Sequence, residues 1–385
     1  MRSIKLVAEA GELFDWCPSG RSVPVVPRPG FSSRRVFAAA HVVADPLAAR
    51  GTEGSAIDWE ATMAYRRHLW QLGFGVAEAM DTAQRGMGLG WGNARELIVR
   101  TAREAAASGT PAVYGASTDQ LPHGPEATIP AVIEAYRQQV ELVESVGGQA
   151  IMMASRSLAL IARSADDYLE VYGTILTEAT RPVMIHWLGA AFDPALAGYW
   201  GSDDPWTALA TVLTLAAAYP DRIDGVKISL LDDILERSMR ARLPKGVRTY
   251  TGDDFNFLDM ILGDEHGHSD ALLGVLDPIA PVASEAFDAL DAGDRQRFRS
   301  LLGPTVPFAR HLFDPPTYDY KTGITFLAYL NGHQRHFRML NGAESSRSIA
   351  HLCRLLVLAD EAGLLADPGL AVDRMRLILS MSGVD

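Results

Sequence analysis

The chain has 385 residues, of which 48% are hydrophobic, and its formal net charge is −12. This length and apolar content are enough for a large core, and they suit a barrel of alternating strands and helices that carries extensions. The acidic balance argues against a nucleic-acid or anionic-membrane surface, because both need basic patches.

The distribution of apolar residues predicts a cytoplasmic protein. Residues 1–6 lack the long apolar stretch of a signal peptide, and no apolar run is long enough to cross a bilayer. Cys17 and Cys353 lie far apart in sequence and form no metal-ligand spacing, so a reducing compartment is the simplest interpretation. We therefore expect neither a nucleic-acid nor a membrane partner.

Residues 1–33 do not fit the pattern of the remaining chain. They are rich in glycine and proline and contain short alternating apolar pieces. This composition predicts an N-terminal extension with a small hairpin and a linking loop.

From residue 35 onward, apolar strands alternate with amphipathic helices. The predicted strands are 36–43, 75–80, 111–116, 149–154, 182–187, 223–230, 247–251 and 271–275. The predicted helices are 57–72, 93–107, 129–146, 165–177, 205–218, 254–262 and 278–292. Such alternation implies right-handed crossovers and a parallel sheet, and eight units are the number that closes a (β/α)8 barrel. The alternative is a doubly wound open sheet, which normally shows a G-x-G-x-x-G turn that this sequence lacks.

Further helices follow the eighth unit. They are predicted at 294–302, 322–330, 348–362 and 368–381. The chain is therefore expected to divide into an extension (1–33), a barrel (34–293) and a C-terminal helical subdomain (294–385). That subdomain either covers the barrel or builds an oligomer contact, and the sequence does not decide between the two.

Lys227 is the candidate catalytic residue with the clearest physical argument. It interrupts an apolar run in the sixth predicted strand. An ammonium group inside such a strand is costly unless it is paired or loses its proton. A lysine that is partly neutral is a nucleophile for a carbonyl carbon, with which it forms a Schiff base. The alternative is a lysine at the strand end whose ammonium reaches solvent.

Several short segments, in matching order and spacing, resemble the dihydrodipicolinate synthase / N-acetylneuraminate lyase family. They include the turn at 55–60, the strand at 225–229, the Gly-Asp-Asp turn at 250–254, the helix at 278–294 and the helix end at 362–365. The resemblance covers about residues 36–365. The family consists of class I, Schiff-base aldolases built on a (β/α)8 barrel with a C-terminal helical subdomain.

The resemblance implies a catalytic role for Lys227. Lys227 would form the imine with a 2-oxo acid or a related carbonyl compound. The barrel position agrees, because active sites lie at the C-terminal ends of barrel strands. The resemblance also implies a homo-oligomer that acts on a small-molecule substrate and requires no organic cofactor and no metal.

His186 marks a departure from the family pattern. It stands on the fifth strand where the family usually has a tyrosine that relays protons. A histidine can serve as a general acid or base near neutral pH, so the relay could persist. A structural histidine at the barrel mouth and a metal ligand are the alternatives.

A second departure follows the second strand. The family's Gly-Thr-Thr-Gly-Glu motif, which holds a substrate carboxylate, corresponds to residues 80–84. Thr82 matches the second threonine, and Asp81 replaces the first. Asp81 would repel a substrate carboxylate, so either the substrate lacks one at that point or Asp81 points elsewhere. Asp81 could instead accept hydrogen bonds from sugar hydroxyls or help to bind a cation.

Two further residues are predicted to contact the substrate. Ser155 ends the fourth strand, and a helix or turn cap is its alternative role. Asp253 follows the seventh strand together with Asp254, and one of the two is expected to cap the next helix.

These observations predict a Schiff-base lyase or aldolase. It would cleave or form a C–C bond, or dehydrate, in a hydroxylated 2-oxo acid or a related sugar-derived carbonyl compound. Lys227 would attack the carbonyl, His186 would shuttle the proton and Thr82 would help to seat the substrate. Two alternatives stay open: a metal-assisted aldolase or hydrolase that uses Asp81 and His186, and a non-catalytic barrel that binds sugar acids.

Overall fold

The computed structural model describes residues 3–48, 56–122 and 124–384. Ten strands are described: β1 (Ile4–Val7), β2 (Leu13–Trp16), β3 (Val36–Ala39), β4 (Gly75–Glu78), β5 (Ala112–Ala116), β6 (Ala150–Met152), β7 (Val183–Leu188), β8 (Ile223–Ser229), β9 (Arg248–Thr251) and β10 (Asp270–Leu273). Strands β3 to β10 form a closed parallel barrel in chain order, because β10 pairs with β3. The predicted (β/α)8 barrel is therefore confirmed.

Helices surround the barrel and continue beyond it. They are α1 (Trp59–Gln71), α2 (Trp91–Ser108), α3 (Ile129–Ser145), α4 (Arg156–Ile161), α5 (Ala165–Glu178), α6 (Pro205–Ala218), α7 (Asp233–Arg242), α8 (Phe257–Leu262), α9 (Ala280–Asp291), α10 (Arg295–Leu302), α11 (Thr305–Leu312), α12 (Tyr320–Leu330), α13 (Ile349–Glu361) and α14 (Pro368–Met381). Their apolar faces pack on the strands, which are buried on both sides. No helix within the described ranges combines the length and the apolar character that crossing a bilayer requires.

Several barrel strands end earlier than the apolar runs predict. The first run extends to residue 43, but β3 ends at Ala39. Beyond that point, the backbone amides of His41 and Val43 donate to the side chains of Asp277 and Thr62 rather than to a neighbouring strand. The apolar residues after a strand therefore line the barrel mouth without belonging to the sheet.

Three helices, α4, α7 and α11, are absent from the sequence prediction. Helix α7 carried a usable signal: Asp232 accepts a hydrogen bond from the Leu235 amide, and Leu235 and Met239 form its buried face. An N-cap aspartate followed by apolar residues four positions apart is a helix start.

The predicted N-terminal hairpin is confirmed, since β1 and β2 pair in antiparallel register. It packs against α13: the Val7 amide donates to Cys353 Sγ at 3.4 Å, and Ser19 donates to the Asp360 carboxylate. The division of the chain at residues 33 and 293 stays a prediction. Ser55, the first residue of the turn that resembles the family's, lies outside the described residues.

Helix α12 connects the C-terminal segment with the barrel mouth. All eleven of its residues are buried. Its first residue, Tyr320, donates a hydrogen bond to Asp81, which follows β4, at 2.7 Å. The C-terminal segment therefore covers the barrel, which is one of the two roles that the sequence left open.

Candidate active site

Lys227 lies at the C-terminal half of β8, in register with His186 on β7 and Tyr250 on β9. Its side chain is buried, with 4% exposure, and its ammonium forms neither an ion pair nor a hydrogen bond with the rest of the described chain. Burial lowers the pKa of Lys227, and the nearby carboxylates of Asp81 and Asp254 counteract part of this effect. The structure thus places an unpaired lysine inside the barrel, where desolvation favours its neutral form.

Gly252 makes room for this lysine. A Cβ at position 252 would lie 2.9 Å from Lys227 Cε and 2.2 Å from Ser229 Oγ. Any larger residue at the end of β9 would displace the lysine stem or the serine hydroxyl. The Gly-Asp-Asp turn therefore has a direct steric role beside Lys227.

His186 is fully buried next to Lys227. Its Nε2 lies 3.2 Å from Ser229 Oγ, whereas its Nδ1 is buried without a hydrogen-bond partner among the described residues. Burial, reinforced by the charge of Lys227, lowers the pKa of His186 well below its usual value. The imidazole is therefore neutral near pH 7, with one ring nitrogen uncommitted.

Asp81 begins a short 3-10 helix directly after β4. Its Oδ2 accepts the hydrogen bond from Tyr320, and its Oδ1 is buried without a partner among the described residues. Burial would raise the pKa of Asp81, but Lys227, Lys321, His186 and the Tyr320 hydroxyl together lower it to about 2. Asp81 is therefore an anion near neutral pH that interacts electrostatically with two lysines.

Thr82 lies within hydrogen-bond distance of the same Tyr320 hydroxyl that contacts Asp81. Its Oγ1 lies 2.8 Å from the Tyr320 hydroxyl. Gly274, after β10, lets this group approach, because a Cβ there would lie 3.1 Å from the Tyr320 ring and 3.3 Å from Thr82 Oγ1. The role predicted for Thr82 in seating the substrate stays a prediction, and the hydroxyl would have to share its bond to Tyr320.

The two aspartates after β9 have different surroundings. Asp253 accepts hydrogen bonds from the Phe255 and Asn256 amides and from the Asn256 side chain, so its carboxylate is occupied within its own turn. Asp254 accepts one from the Val275 amide at 2.9 Å, and burial raises its pKa to about 8 despite the opposing effect of Lys227. Asp254 interacts electrostatically with Lys227, and contact of Asp253 with a substrate stays a prediction.

Ser155 occupies the N-cap of α4. Its Oγ accepts a hydrogen bond from the Leu158 amide at 3.0 Å and lies 2.6 Å from Thr118 Oγ1. These contacts fit the capping alternative, and contact with a substrate remains a prediction for this residue.

Lys321 is a site residue that the sequence analysis did not find. It follows Tyr320 in α12 and is 3% exposed. Its ammonium donates to the Tyr318 carbonyl at 3.0 Å and lies 4.4 Å from the centre of the Tyr320 ring. Burial lowers its pKa to about 8, while Asp81 opposes that shift. The sequence feature that could have identified Lys321 is its position in a segment whose other residues are suited to burial.

A pocket opens at the barrel mouth between the α4 region and α12. Its polar lining residues include Asp81, Lys321, Arg85, Arg156, Ser157 and Asp193. Both arginines are already paired, Arg85 with Asp119 and Arg156 with Asp193. The pocket therefore leads from the surface to Asp81, which interacts electrostatically with Lys227.

Comparisons with known proteins give one family and one fold. The model of the family described as "Protein of unknown function (DUF993)" matches residues 4–384. A search of curated proteins found no match.

Solved structures that match the chain include dihydrodipicolinate synthases and their relatives. A putative dihydrodipicolinate synthetase from Pseudomonas aeruginosa aligns with a TM-score of 0.65 at 16% identity, over 86% of this chain and 99% of that one. The synthase from Aquifex aeolicus aligns with a TM-score of 0.64 at 14% identity, over 86% and 99%. YagE from E. coli K12, a member of the dihydrodipicolinic acid synthase family solved with pyruvate, gives 0.62 at 14% over 91% and 98%. At these identities the likeness establishes the fold, and it confirms the resemblance noted in the sequence.

Proposed function

The chain belongs to the DUF993 family, and we propose that it is a Schiff-base lyase or aldolase. Its substrate is a hydroxylated 2-oxo acid or a related sugar-derived carbonyl compound, in which it cleaves or forms a C–C bond or removes water. The observation that carries this proposal is Lys227, a buried lysine that makes no ion pair within the described residues and lies beside a neutral histidine inside the barrel. A strand-end lysine in solvent would have neither property.

The reaction begins at the Lys227 nitrogen. The neutral amine attacks the carbonyl carbon to give a carbinolamine, whose hydroxyl group takes up a proton and leaves as water, so that a protonated imine remains. When a C–C bond breaks, its electron pair moves toward the imine carbon and neutralises the iminium as an enamine. Protonation of the enamine and addition of water then release the product and restore the lysine.

His186 moves the protons in this scheme. Its Nε2 is held near Ser229, and its Nδ1 has no hydrogen-bond partner in the described part of the chain, so one nitrogen can exchange a proton with the substrate. A neutral imidazole accepts a proton from a hydroxyl group when the C–C bond breaks and returns it later. This function corresponds to that of the proton-relaying tyrosine on strand five of the dihydrodipicolinate synthase / N-acetylneuraminate lyase family.

Asp81 stabilises charge. The protonated imine keeps a positive charge on the Lys227 nitrogen, and the Asp81 carboxylate is ionised at any pH at which the enzyme works. A fixed anion near a developing cation lowers the energy of the intermediate in a site with little water. Asp81 therefore acts on the lysine rather than directly on a substrate carboxylate.

Borohydride trapping tests the proposal. The protein is incubated with 2-oxo acids and with sugar-derived aldehydes and ketones, and it is then reduced with borohydride. After digestion, the peptide masses are measured by mass spectrometry. We expect the reduced substrate mass on the peptide that contains Lys227. Lys227→Arg should abolish the label, and Lys245→Arg, at an exposed position, should keep it. A label that is absent with every compound, or that persists in Lys227→Arg, contradicts the proposal.

The metal-assisted alternative receives less support from the geometry. Within the described residues, the group of three His, Asp, Glu or Cys ligand atoms close enough to hold one ion consists of His311, Asp314 and His351. It does not include Asp81 or His186. Loss of turnover in a chelator, with no trapped lysine, would favour the alternative.

Assembly and location belong to the same proposal. We expect a cytoplasmic homo-oligomer that binds a small molecule. Light scattering on the purified protein measures the mass of the particle, and a mass equal to that of one 41.7 kDa chain would contradict the oligomer.

A further inference from the structure

We propose that Lys321 binds a carboxylate group of the carbonyl substrate and so makes this site selective for oxo acids. The proposal rests on the proposed function, because the carboxylate belongs to the molecule that reacts at Lys227. It assigns part of substrate recognition to the C-terminal segment, at a residue that follows the barrel in sequence.

The first observation is the state of the Lys321 ammonium. The group is buried at the barrel mouth and lines the pocket. It makes one hydrogen bond, to the Tyr318 carbonyl, and it has no ion pair with a carboxylate in the described part of the chain. An ammonium has three donors. Two of them are therefore left for a ligand, and a buried cation in this condition favours an anion.

The second observation is the presence of other buried polar atoms without partners at the same pocket. Asp81 Oδ1 and Ser157 Oγ both lack a hydrogen-bond partner among the described residues, and both residues line the pocket with Lys321. Buried polar atoms in proteins normally have partners. The serine hydroxyl can donate to a carboxylate, and Asp81 can accept from a substrate hydroxyl.

The charges decide between a carboxylate and a phosphate. Arg85 and Arg156 are paired with Asp119 and Asp193, so Lys321 is the lining cation that makes no direct ion pair within the described residues. Asp81 adds a negative charge to the same lining, which repels a dianion more strongly than a monoanion. One ammonium balances a monoanion. A phosphate ester carries nearly two charges at neutral pH and would need a second free cation. The pocket therefore fits a carboxylate better.

The ammonium of Lys321 also offsets the repulsion that the sequence predicts between Asp81 and a substrate carboxylate. An aspartate in place of the family's first threonine would repel a carboxylate that approached it alone. Lys321 interacts with Asp81 electrostatically from α12. A substrate carboxylate near Lys321 is attracted by the ammonium, while Oδ2 of Asp81 stays bonded to the Tyr320 hydroxyl.

The test separates recognition of the carboxylate from formation of the imine. Lactate has a carboxylate but no ketone or aldehyde carbonyl, so its binding, measured by titration calorimetry, does not depend on Lys227 chemistry. Methyl lactate keeps the lactate skeleton, with one added methyl group and no charge, and glycerol 3-phosphate presents a phosphate. The proteins compared are the wild type, Lys321→Met, Lys321→Gln and the exposed control Lys245→Met, with folding checked by circular dichroism.

We expect wild type to bind lactate at least tenfold more tightly than methyl lactate or glycerol 3-phosphate. A hydrogen bond to a charged group contributes roughly 1.5–3 kcal/mol, which is a factor of about 10–100 in affinity. Both Lys321 variants should lose that factor for lactate and change methyl lactate less than twofold. Lys245→Met should match the wild type.

Three results overturn the proposal. They are equal binding of lactate and its ester by the wild type, equal loss for both ligands in the Lys321 variants, and tighter binding of the phosphate. The first of these needs only the unmodified protein. Failure of borohydride trapping together with Lys321-dependent lactate binding would contradict the Schiff base and leave the carboxylate site standing.

Discussion

At the scale of single residues, the site consists of charges that determine each other's protonation. Asp81 and Asp254 are two buried carboxylates near the same lysine, yet the pKa of one is lowered to about 2 and that of the other is raised to about 8. The difference follows from their partners, because Asp81 interacts with two lysines and a phenol. Environments that separate the pKa values of two acids are typical of catalytic sites.

Replacement of Asp81 by asparagine tests this electrostatic account. The carboxylate of Asp81 raises the pKa of Lys227 against the effect of burial. Asp81→Asn removes that effect, so the Lys227 pKa falls and the lysine becomes neutral at lower pH. The rate of reductive trapping, measured against pH, should therefore have its rising inflection at lower pH in the variant.

The matched control is Asp264→Asn, at an aspartate paired with Arg237 and Arg240 outside the site. Its pH profile should coincide with that of the wild type. An inflection that stays in place in Asp81→Asn, or moves to higher pH, contradicts the assignment of Asp81 as the counter-charge of Lys227.

His186 provides a prediction that separates imine formation from turnover. His186→Leu removes both ring nitrogens while keeping an apolar side chain in the buried position. Loss of a general acid–base typically reduces rates by about 10²–10⁴-fold. Turnover of the trapped substrate should fall by that amount, whereas the Lys227 label should still form. Undiminished turnover in the variant would show that His186 is structural.

At the scale of elements, the strand ends carry the chemistry. Lys227 and His186 pair in register on β8 and β7, and Gly252 follows β9, two residues beyond Tyr250, which is the register partner of Lys227. Registers of this kind result from the closed barrel, which fixes the height of each strand relative to its neighbours. The position of a glycine beside a reactive side chain is therefore a property of three strands together.

Gly252→Ala tests the steric part of this arrangement. The added Cβ would lie 2.2 Å from Ser229 Oγ and 2.9 Å from Lys227 Cε, so one of these groups must move. We expect a loss of trapping rate of at least tenfold, measured by mass spectrometry over time. Gly92→Ala is the control, because no atom of the described residues lies within 4 Å of its added Cβ in the first turn of α2. A variant at position 252 that labels as fast as the control contradicts the account.

The sequence predicted the strands and helices of the barrel more completely than the surroundings of the site residues. The alternation of apolar runs and amphipathic segments located all eight barrel strands, because each buried strand and each helix must repeat its own period. It also placed Lys227 and His186 on the two strands that the structure pairs. It did not separate Asp253 from Asp254, because the direction of each carboxylate depends on a turn and on the Val275 amide of the next unit.

At the scale of the whole molecule, distant parts of the chain complete one site. Tyr320 reaches Asp81 across 239 residues of sequence, and Lys321 comes with it. No local pattern encodes such a contact, since it depends on how α12 packs over the barrel mouth. The prediction of a C-terminal helical segment was possible from the sequence, but its contribution to the site was not.

A buried ion pair joins the first helix of the barrel to its second strand. Arg66 binds the Glu78 carboxylate through Nε and Nη2, each at 2.9 Å, and both side chains are fully buried. Arg66→Met leaves Glu78 buried without its partner. We expect the free energy of unfolding, measured in urea, to fall by about 3–5 kcal/mol.

The neighbouring Arg67 is the matched control. It pairs with Glu104 in the same bidentate manner, but its side chain is 55% exposed. Because solvent screens exposed pairs, Arg67→Met should cost only about 0–1 kcal/mol. Equal losses for the two variants would show that burial does not decide the contribution of these pairs.

The central claim is that Lys227 bonds covalently to a carbonyl substrate. A crystal soaked with an oxo acid that trapping has identified, then examined by diffraction, tests it most directly. The account predicts continuous electron density from Lys227 Nζ to the former carbonyl carbon, with the carboxylate of the compound at Lys321. Density for an intact carbonyl compound separated from Lys227, or a round, octahedrally coordinated peak beside Asp81, would contradict it.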